Sequence, residues 1–449
     1  MRNLTISRLA TIAVLAVTLG IVPFAWGQYT ETTIHNFTGG SDGALPQAGV
    51  IFDGQGNLYG TTYQGGAYNA GTVFRLSPQS DSTWTETELF EFTNGIDGGF
   101  PDAPLIMDAA GNLYGTTIYG GSSSCVAVMN APCGIVFKLT PQAHGRWKET
   151  ILHSFQANAR DGFYPSSGLT VDSAGDLYGT TAYGGPNDLG TIFELTPTAI
   201  GPWKEKILHS FSGPDGASPF WTPLNIDLAG NLYGVTPRGG YTNTTTCGSF
   251  GCGVVFKLTP TNSGRWNEHV LYSFTNTGDG LSPFGPVALD LAGNLYGIAP
   301  FGGTSTNCFG SSCGVVFEVS RTSGGMWNES TLYSFQGGND GEFPQTGIIF
   351  DAAGNLLGTT GSGGDALFCS SGCGTVFELT PVSGGVWTEQ VLYSFTGTAD
   401  GCFPVGKLVA DATGNLYSVT QQTGIDCQHG GVGSGAVSKL SPPASLVRK

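Results

Sequence analysis

The sequence predicts an all-β fold, a seven-bladed β-propeller with four antiparallel strands in each blade. Three observations lead to this prediction. One motif recurs seven times, each repeat contains four short strand-like segments, and the two ends of the mature chain supply complementary strands. Because four-stranded antiparallel blades are the unit of a propeller, a closed ring is favoured over a linear solenoid.

The recurring motif is DxxGNLYG, and its copies lie 55 to 64 residues apart. In the DxxGN part we expect the Asp side chain to accept backbone N–H groups of a hairpin turn, while the Gly adopts a positive φ. A calcium loop is the alternative, but one Asp per hairpin supplies few ligands. The copies begin at Asp53, Asp108, Asp172, Asp227, Asp290, Asp351 and Asp411.

Each repeat contains four segments typical of strands. An apolar run precedes the Asp, NLYGTT follows it, a GTVFRL-like segment comes third, and a segment that begins with Trp comes last. These segments are rich in Val, Ile, Phe, Tyr and Thr, are bounded by Gly, Pro, Asn and Asp, and lack helical periodicity. We therefore expect almost no helix.

Six of the seven outer strands begin with Trp and all seven end with Phe, and we expect these aromatic side chains to pack between blades. A row of sugar-stacking platforms is the alternative. The Trp residues are Trp84, Trp147, Trp203, Trp266, Trp327 and Trp387. The Phe residues are Phe37, Phe92, Phe155, Phe211, Phe274, Phe335 and Phe395.

The ring is expected to close through the chain ends. Residues 30–37, TETTIHNF, have the sequence of a fourth strand, and the segment from Gly435, GAVSKLSP, has that of a third strand. The N-terminal strand should therefore complete the last blade and remove the exposed edges of an open array.

The unit DxxGNLYGTTxxGG, GTVFKLTP, GxW and LYSFxGxxDGxxP resembles the GloVer tandem repeat of exported bacterial proteins, over residues 29–441. The resemblance implies no established activity, substrate or catalytic residue. Members of that family often carry a C-terminal surface anchor, and no such anchor is visible in the last residues, SPPASLVRK.

Residues 1–27 are predicted to be a signal peptide, with Arg2 and Arg8 before an apolar run and with Ala25 and Gly27 at cleavage spacing. A retained anchor is the alternative, although the run is short for a membrane span. Residues 28–449 would form one propeller domain, secreted or periplasmic and monomeric. Cleavage changes the formal charge from −16 to −18, which argues against a nucleic-acid partner.

The ten cysteines are predicted to form disulfides, as expected in an oxidising compartment. Four pairs lie in the connection between the second and third strands, and the two remaining cysteines lie in the last repeat. Zinc is the alternative, but no His accompanies the pairs. The predicted pairs are Cys125–Cys133, Cys247–Cys252, Cys308–Cys313, Cys369–Cys373 and Cys402–Cys427.

A DGxxP sequence in the connection between blades places one Asp in every repeat. Asp-Gly can simply make a tight turn. The alternative hypothesis is a ring of carboxylates near the mouth of the central channel that binds calcium or a polyol. These residues are Asp42, Asp97, Asp161, Asp215, Asp279, Asp340 and Asp400; Trp221, in SPFWTP, is an aromatic residue that breaks the repeat pattern.

No GxSxG elbow, HExxH helix or phosphate-binding loop occurs in the sequence. His35, His153 and His209 occupy a slot that other repeats fill with Phe or Tyr, whereas His429 lies beside Cys427. Seven equivalent Asp residues would give no reason for the pKa of one acid to exceed that of another, which catalysis needs.

We therefore predict a binding or interaction module for an extracellular or periplasmic glycan or protein, with no catalytic activity and no cofactor. The alternative is a polysaccharide hydrolase or lyase with acids at the channel mouth. Irregular residues in the variable loops are the candidates for that alternative: Asp97, Asp102, Trp221, Arg238, Tyr241 and Asp426.

Overall fold

The chain forms a seven-bladed β-propeller in a computed structural model, with four antiparallel strands per blade, which confirms the predicted fold class. The structure describes residues 28–122, 124–125, 131–158, 160–199, 202–243, 245–308, 312–364, 369–424, 427 and 434–443. The predicted signal peptide lies outside these residues. Within the described part, no helix is long and apolar enough to cross a membrane.

We number the blades in chain order and give their strands from the channel outward. Blade 1 contains Ile51–Phe52, Leu58–Thr62, Thr72–Pro78 and Trp84–Glu91. Blade 2 contains Ile106–Met107, Leu113–Thr117, Ile135–Pro141 and Trp147–Ser154. Blade 3 contains Thr170–Val171, Leu177–Thr181, Thr191–Thr196 and Lys204–Ser210. Blade 4 contains Asn225–Ile226, Leu232–Thr236, Val254–Pro260 and Trp266–Ser273.

The remaining blades follow the same order. Blade 5 contains Phe284–Leu289, Leu295–Ala299, Val315–Arg321 and Trp327–Ser334. Blade 6 contains Ile349–Phe350, Leu356–Ser362, Thr375–Val382 and Val386–Ser394. Blade 7 contains Cys402–Ala410, Leu416–Gln422, Ala436–Ser441 and Thr30–Asn36.

Short elements decorate the connections between these strands. The extra strands are Ser124–Cys125 with Ala131–Pro132, Gly162–Phe163 with Tyr183–Gly184, and Glu342–Pro344 beside blade 6. The 3-10 turns are Ala143–Gly145, Gly248–Phe250 and Gly338–Asp340.

The N-terminal strand closes the ring as predicted. Thr30–Asn36 pairs antiparallel with Ala436–Ser441, from Thr30 opposite Ser441 to Asn36 opposite Ala436. The Ser438 hydroxyl also donates a 2.6 Å hydrogen bond to Glu31 Oε1. The outer edge of the third strand of blade 7 is therefore paired, which removes an unpaired edge.

The DxxGN hairpins work as turn devices, as expected from sequence. In blade 1, Asp53 Oδ1 accepts the backbone N–H groups of Gln55 and Asn57, and Oδ2 accepts hydrogen bonds from the Asn57 amide and the Tyr59 hydroxyl. Gly56 has φ +86°, a conformation that suits Gly. With four acceptor contacts already made, the Asp53 carboxylate is accounted for by the turn.

Aromatic side chains hold neighbouring blades together, as predicted. At six of the seven seams, the Phe that ends one outer strand packs edge-to-face on a Phe in the third strand of the next blade, with ring centroids 5.0 to 5.5 Å apart. Four of the Trp residues at the start of an outer strand reach a Tyr of the preceding blade, as Trp147 does with its ring centroid 6.5 Å from that of Tyr59. These contacts are the core of the seams between blades.

Substitution of Phe37, on the closing strand, tests whether the seam that closes the ring contributes as much to stability as an internal seam. Phe37 lies 5.0 Å from Phe74, and Phe274 lies 5.0 Å from Phe317 at an internal seam. Phe37→Ala should lower the free energy of unfolding by about 3–5 kcal/mol, because a buried aromatic leaves a cavity. Phe274→Ala is the matched control in urea unfolding, and a much smaller loss for Phe37→Ala would show a loosely held closing strand.

Candidate functional site

The upper face of the propeller is the face that carries the connections between blades and those between second and third strands. The DGxxP aspartates lie on this face, but beside the outermost strands instead of around the channel mouth. Asp161, for example, accepts the Gln156 and Gly162 N–H groups and lies 3.3 Å from His153 Nε2, on the outermost strand of blade 2. The expected position of the ring is therefore corrected, because each Asp is held by the loop that leaves the outermost strand.

The other DGxxP aspartates have similar partners. Asp42, Asp97, Asp215, Asp279, Asp340 and Asp400 each accept a backbone N–H of their own connection. Asp279, Asp340 and Asp400 also accept a Tyr hydroxyl of the preceding outer strand. These contacts satisfy the carboxylates without a ligand, and binding by this set stays a prediction.

A second carboxylate faces most of these aspartates across the seam. It belongs to the Glu two residues after the outer-strand Trp of the next blade, and burial followed by the neighbouring Asp raises its pKa. The pKa rises to about 7 for Glu86, Glu205, Glu268 and Glu329, and to about 8 for Glu149 and Glu389. The sequence analysis missed these residues, although the WxE spacing recurs in six repeats.

Three seams combine the Asp–Glu pair with a His, namely those of His35, His153 and His209. In the last two, all three side chains come close together. The ligand atoms of His153, Asp161 and Glu205 lie within 4.8 Å of one another, and so do those of His209, Asp215 and Glu268. One imidazole and two carboxylates form a donor set that first-row divalent cations accept. Calcium prefers a shell of six to eight oxygens, which fits these seams less well.

The residue before the proline of each DGxxP sequence adopts a left-handed conformation. Phe100 has φ +58° and donates its N–H to the Ala70 carbonyl of blade 1, while Tyr164 has φ +62° and donates to the Cys133 carbonyl of blade 2. Such φ values are unusual for bulky residues. The set comprises Leu45, Phe100, Tyr164, Ser218, Ser282, Phe343 and Phe403, so four of its seven members are aromatic.

An arc of partly exposed aromatic side chains runs across blades 1 to 3 on the upper face. Neighbouring ring centroids are 5.2 Å apart for Tyr63 and Phe100, 5.5 Å for Phe100 and Tyr119, 5.7 Å for Tyr119 and Tyr164, and 6.0 Å for Tyr164 and Tyr183. We call these five residues the aromatic arc. The sequence analysis missed them, because the same repeat positions carry other residue types in other blades.

Asp102 and Trp221 bridge from blade 2 to blade 4 beside this arc. Trp221 Nε1 donates a hydrogen bond to Asp102 Oδ2, although the two residues are 119 positions apart. Asp102 is buried, and its other oxygen has no hydrogen-bond partner, whereas Trp221 is 42% exposed with φ +54°. In blade 4 Asp227 follows Pro219 by eight positions, where in blade 1 Asp53 follows Pro46 by seven, so Trp221 occupies a local insertion.

The electrostatics tie Asp102 to the arc. Burial raises the pKa of Asp102 to about 7, despite the hydrogen bond from Trp221. Burial, together with the nearby Asp102, raises the pKa of Tyr63 to about 12, and burial with Tyr119 and Asp102 nearby raises the pKa of Tyr164. Near neutral pH the site therefore holds neutral phenols around one carboxyl group that titrates.

The other candidates suggested by the sequence lie in different parts of the upper face or outside the described residues. Arg238 stacks on Phe220, the neighbour of Trp221, with Cζ 5.6 Å from the ring centroid. Tyr241 is 44% exposed, in the connection between the second and third strands of blade 4. Asp97 belongs to a seam, accepting its own loop's N–H. Asp426 and His429 lie outside the described residues.

Disulfides stiffen the same upper connections. Cys247–Cys252, Cys308–Cys313, Cys369–Cys373 and Cys402–Cys427 are bonded, as predicted. Cys133 is also disulfide-bonded, while the side chain of its predicted partner, Cys125, lies outside the described residues. The predicted zinc alternative is not needed for these cysteines, since none described is free.

The fold and its upper face define a propeller of tandem repeats with one irregular aromatic cluster. The model of the Gloeobacter/Verrucomicrobia repeat matches residues 21–247, 125–366 and 241–448. The chain therefore belongs to that family. No curated protein matches the sequence.

Solved structures resemble the chain at the level of fold. A Trichoderma reesei carbohydrate-active enzyme of family AA12, in a calcium structure, is 14% identical (TM-score 0.44; 93% of this chain, 98% of that one). A family PL25 ulvan lyase, bound to a GlcA–Rha3S saccharide, is 9% identical (TM-score 0.49; 93% and 95%). A Thermus thermophilus protein described as a glucose dehydrogenase is 14% identical (TM-score 0.41; 92% and 99%).

The seam glutamates should make the protein less stable as pH rises. Their pKa values are raised in the folded state, so the folded protein keeps protons that the unfolded chain releases above about pH 4.5. Their stabilising contribution is complete below that pH and is lost as pH rises through 7 to 8. Allowing for solvent screening, we expect a loss of about 1 kcal/mol per glutamate, measurable as a falling melting temperature between pH 5 and 8.

Glu389→Gln should reduce that fall, because the amide does not ionise. Asp188→Asn, on an exposed loop of the same face, is the control and should leave the pH profile unchanged. A profile that is flat in the unmodified protein, or identical in Glu389→Gln, would contradict the role given to the seam pairs.

Titration of Asp102 should be visible in the fluorescence of Trp221. The Asp102 carboxyl ionises with a pKa of about 7, and the indole N–H donates to it, so the environment of the indole changes at that pH. We expect an emission change with a midpoint near pH 7 that disappears in both Asp102→Asn and Trp221→Phe. A midpoint that persists in Asp102→Asn would assign the change to another group.

Proposed function

We propose that this chain is an exported binding protein that holds a glycan at the upper mouth of the propeller. The observation that carries the proposal is the aromatic arc together with the exposed face of Trp221. Sugar rings present flat C–H faces, and aromatic side chains offer large, rigid apolar surface with a polar edge. Buried aromatics elsewhere in the chain serve the seams, whereas these are partly exposed.

The arrangement supports one binding site per ring. The seams repeat around the propeller, but the arc occupies blades 1 to 3 and the Trp221 insertion occurs in blade 4 alone among the seven repeats. Trp221 is anchored by Asp102, and the phenols nearby offer hydroxyl groups for hydrogen bonds to a polyol. Convergent polar groups among apolar side chains are typical of a small-molecule or saccharide site.

A polysaccharide hydrolase or lyase is the second candidate, and Asp102 is the observation that favours it. A buried carboxyl group with a pKa of about 7 and one oxygen without a partner has the properties of a general acid. Binding is preferred because glycoside hydrolysis commonly needs two carboxylates flanking one bond. Among the described residues, no second carboxylate contributes to the pKa shift of Asp102, which burial and the Trp221 hydrogen bond determine.

Export follows from the predicted signal peptide and agrees with the disulfides. A monomer in the periplasm or outside the cell remains the expected state. A cation is a separate proposal, and the His-containing seams are the better place for it than a ring of seven aspartates. If a cation binds there, the melting temperature should rise with millimolar calcium or micromolar zinc and fall with chelator.

The proposal predicts that the protein is depleted from solution by some members of a panel of insoluble polysaccharides and cell-wall fractions. Trp221→Ala should weaken that binding about 10-fold, the effect expected for loss of one stacking contact. Met326→Ala is the control, since Met326 is 74% exposed in a hairpin between the third and fourth strands, on the opposite face. Depletion and released oligosaccharide are recorded together.

The outcomes separate the two candidates. Depletion without release, weakened in Trp221→Ala, supports the binding protein. Oligosaccharide release that is abolished in Asp102→Asn would replace it with the enzyme. Absence of both signals across the panel would overturn a glycan-directed function and favour a protein partner.

A further inference from the structure

We infer that the mouth selects an acidic glycan, and that Arg238 pairs with a carboxylate or sulfate group on its sugar. This inference rests on the proposed function and specifies its substrate class. It starts from Arg238, a cation at a repeat position that carries a neutral residue in each of the other six blades. The equivalent residues, identified by their pairing with the residue before each left-handed position, are Gln64, Tyr119, Tyr183, Phe301, Ser362 and Gln422.

Two aromatic rings hold the Arg238 side chain. Its Cζ lies 4.9 Å from the centroid of Phe250 and 5.6 Å from that of Phe220. Stacking of this kind fixes a guanidinium at little further entropic cost. The backbone of Arg238 is also fixed. It pairs with Ala217, and its carbonyl accepts a hydrogen bond from the Thr236 hydroxyl.

The guanidinium has no partner among the described residues. The ion pairs in that part of the chain involve Lys206 and three His residues, and no side-chain hydrogen bond is made by Arg238. Among the described residues no arginine makes an ion pair, and Arg238 differs from the others in stacking on two aromatic rings. An oriented fork of N–H donors without an acceptor fits a carboxylate or sulfate, which can accept two of them.

The surroundings of Arg238 place this anion subsite beside the proposed sugar platform. Phe220 is 5.2 Å from Trp221, and Trp221 is 5.7 Å from Phe284. Phe250, the second ring on which Arg238 stacks, is 66% exposed. An acidic sugar stacked on Trp221 could therefore reach Arg238 with its charged substituent, while neighbouring units continue over the arc.

Because the net charge of the chain is −16, Arg238 provides a small positive region on a protein that is otherwise negatively charged. A polyanion is repelled by most of the molecule, so association must depend on this contact and on stacking. Binding of an acidic glycan should respond to salt in two ways, since screening weakens both the repulsion and the Arg238 contact. Arg238 is therefore tested by its own substitution rather than by salt alone.

The test uses matched polymers that differ in charge. Polygalacturonate is compared with its methyl ester, and carrageenan with agarose, in depletion or calorimetric titration of the protein. We expect the acidic member of at least one pair to bind more tightly. Arg238→Gln should weaken that binding about 10-fold or more, as expected for loss of a charged hydrogen-bonded pair, and leave any binding of the neutral member unchanged.

Arg265→Gln is the matched control, because it removes the same charge from an exposed hairpin of the opposite face. Arg238→Lys should recover part of the affinity, since Lys keeps the charge but not the fork. Equal binding of neutral and acidic polymers, unchanged in Arg238→Gln, would overturn this inference and leave the proposed function standing. Binding of neither member of any pair, in a panel that includes other glycans, would overturn both.

Discussion

The edge-to-face contact between phenylalanines of neighbouring blades is the interaction on which the rest of the molecule depends. Each blade is a small sheet that could not bury both of its faces alone, and the Phe–Phe pairs at 5.0 to 5.5 Å join one sheet to the next. Because one member of each pair ends an outer strand, the connection that follows it is fixed in space. The seams therefore determine where six of the seven connections between blades begin.

A polar layer lies above that aromatic layer. The DGxxP aspartates receive backbone N–H groups and face a glutamate of the next blade, so two carboxyl groups share a partly buried space. Such a pair is tolerated when one member keeps its proton. Each such seam thus combines a hydrophobic contact that does not depend on pH with a polar contact that does. The stability of the seam therefore depends on pH through its carboxyl groups.

The fold could be predicted from the sequence because its pattern recurs in every repeat. Part of the site could not be predicted, because its contacts do not recur. Strand order, ring closure through Thr30–Asn36, the turn role of Asp53 and the disulfides follow from local patterns that recur. The contact between Asp102 and Trp221 does not recur and joins blades 2 and 4, so no spacing in the sequence could reveal it. The aspartates were misplaced because sequence gives their face but not their distance from the axis.

The insertion at Trp221 also makes one blade of the ring different from the other six. A ring of seven equal blades would accept a polymer in seven equivalent orientations, each at one seventh of the occupancy. With blade 4 altered, and with Trp221 in contact with both Asp102 and the Phe220 ring on which Arg238 stacks, those orientations are no longer equivalent. A polymer with distinct ends can then lie across the mouth in a single polarity, a property that a symmetric assembly of the same repeats would lack.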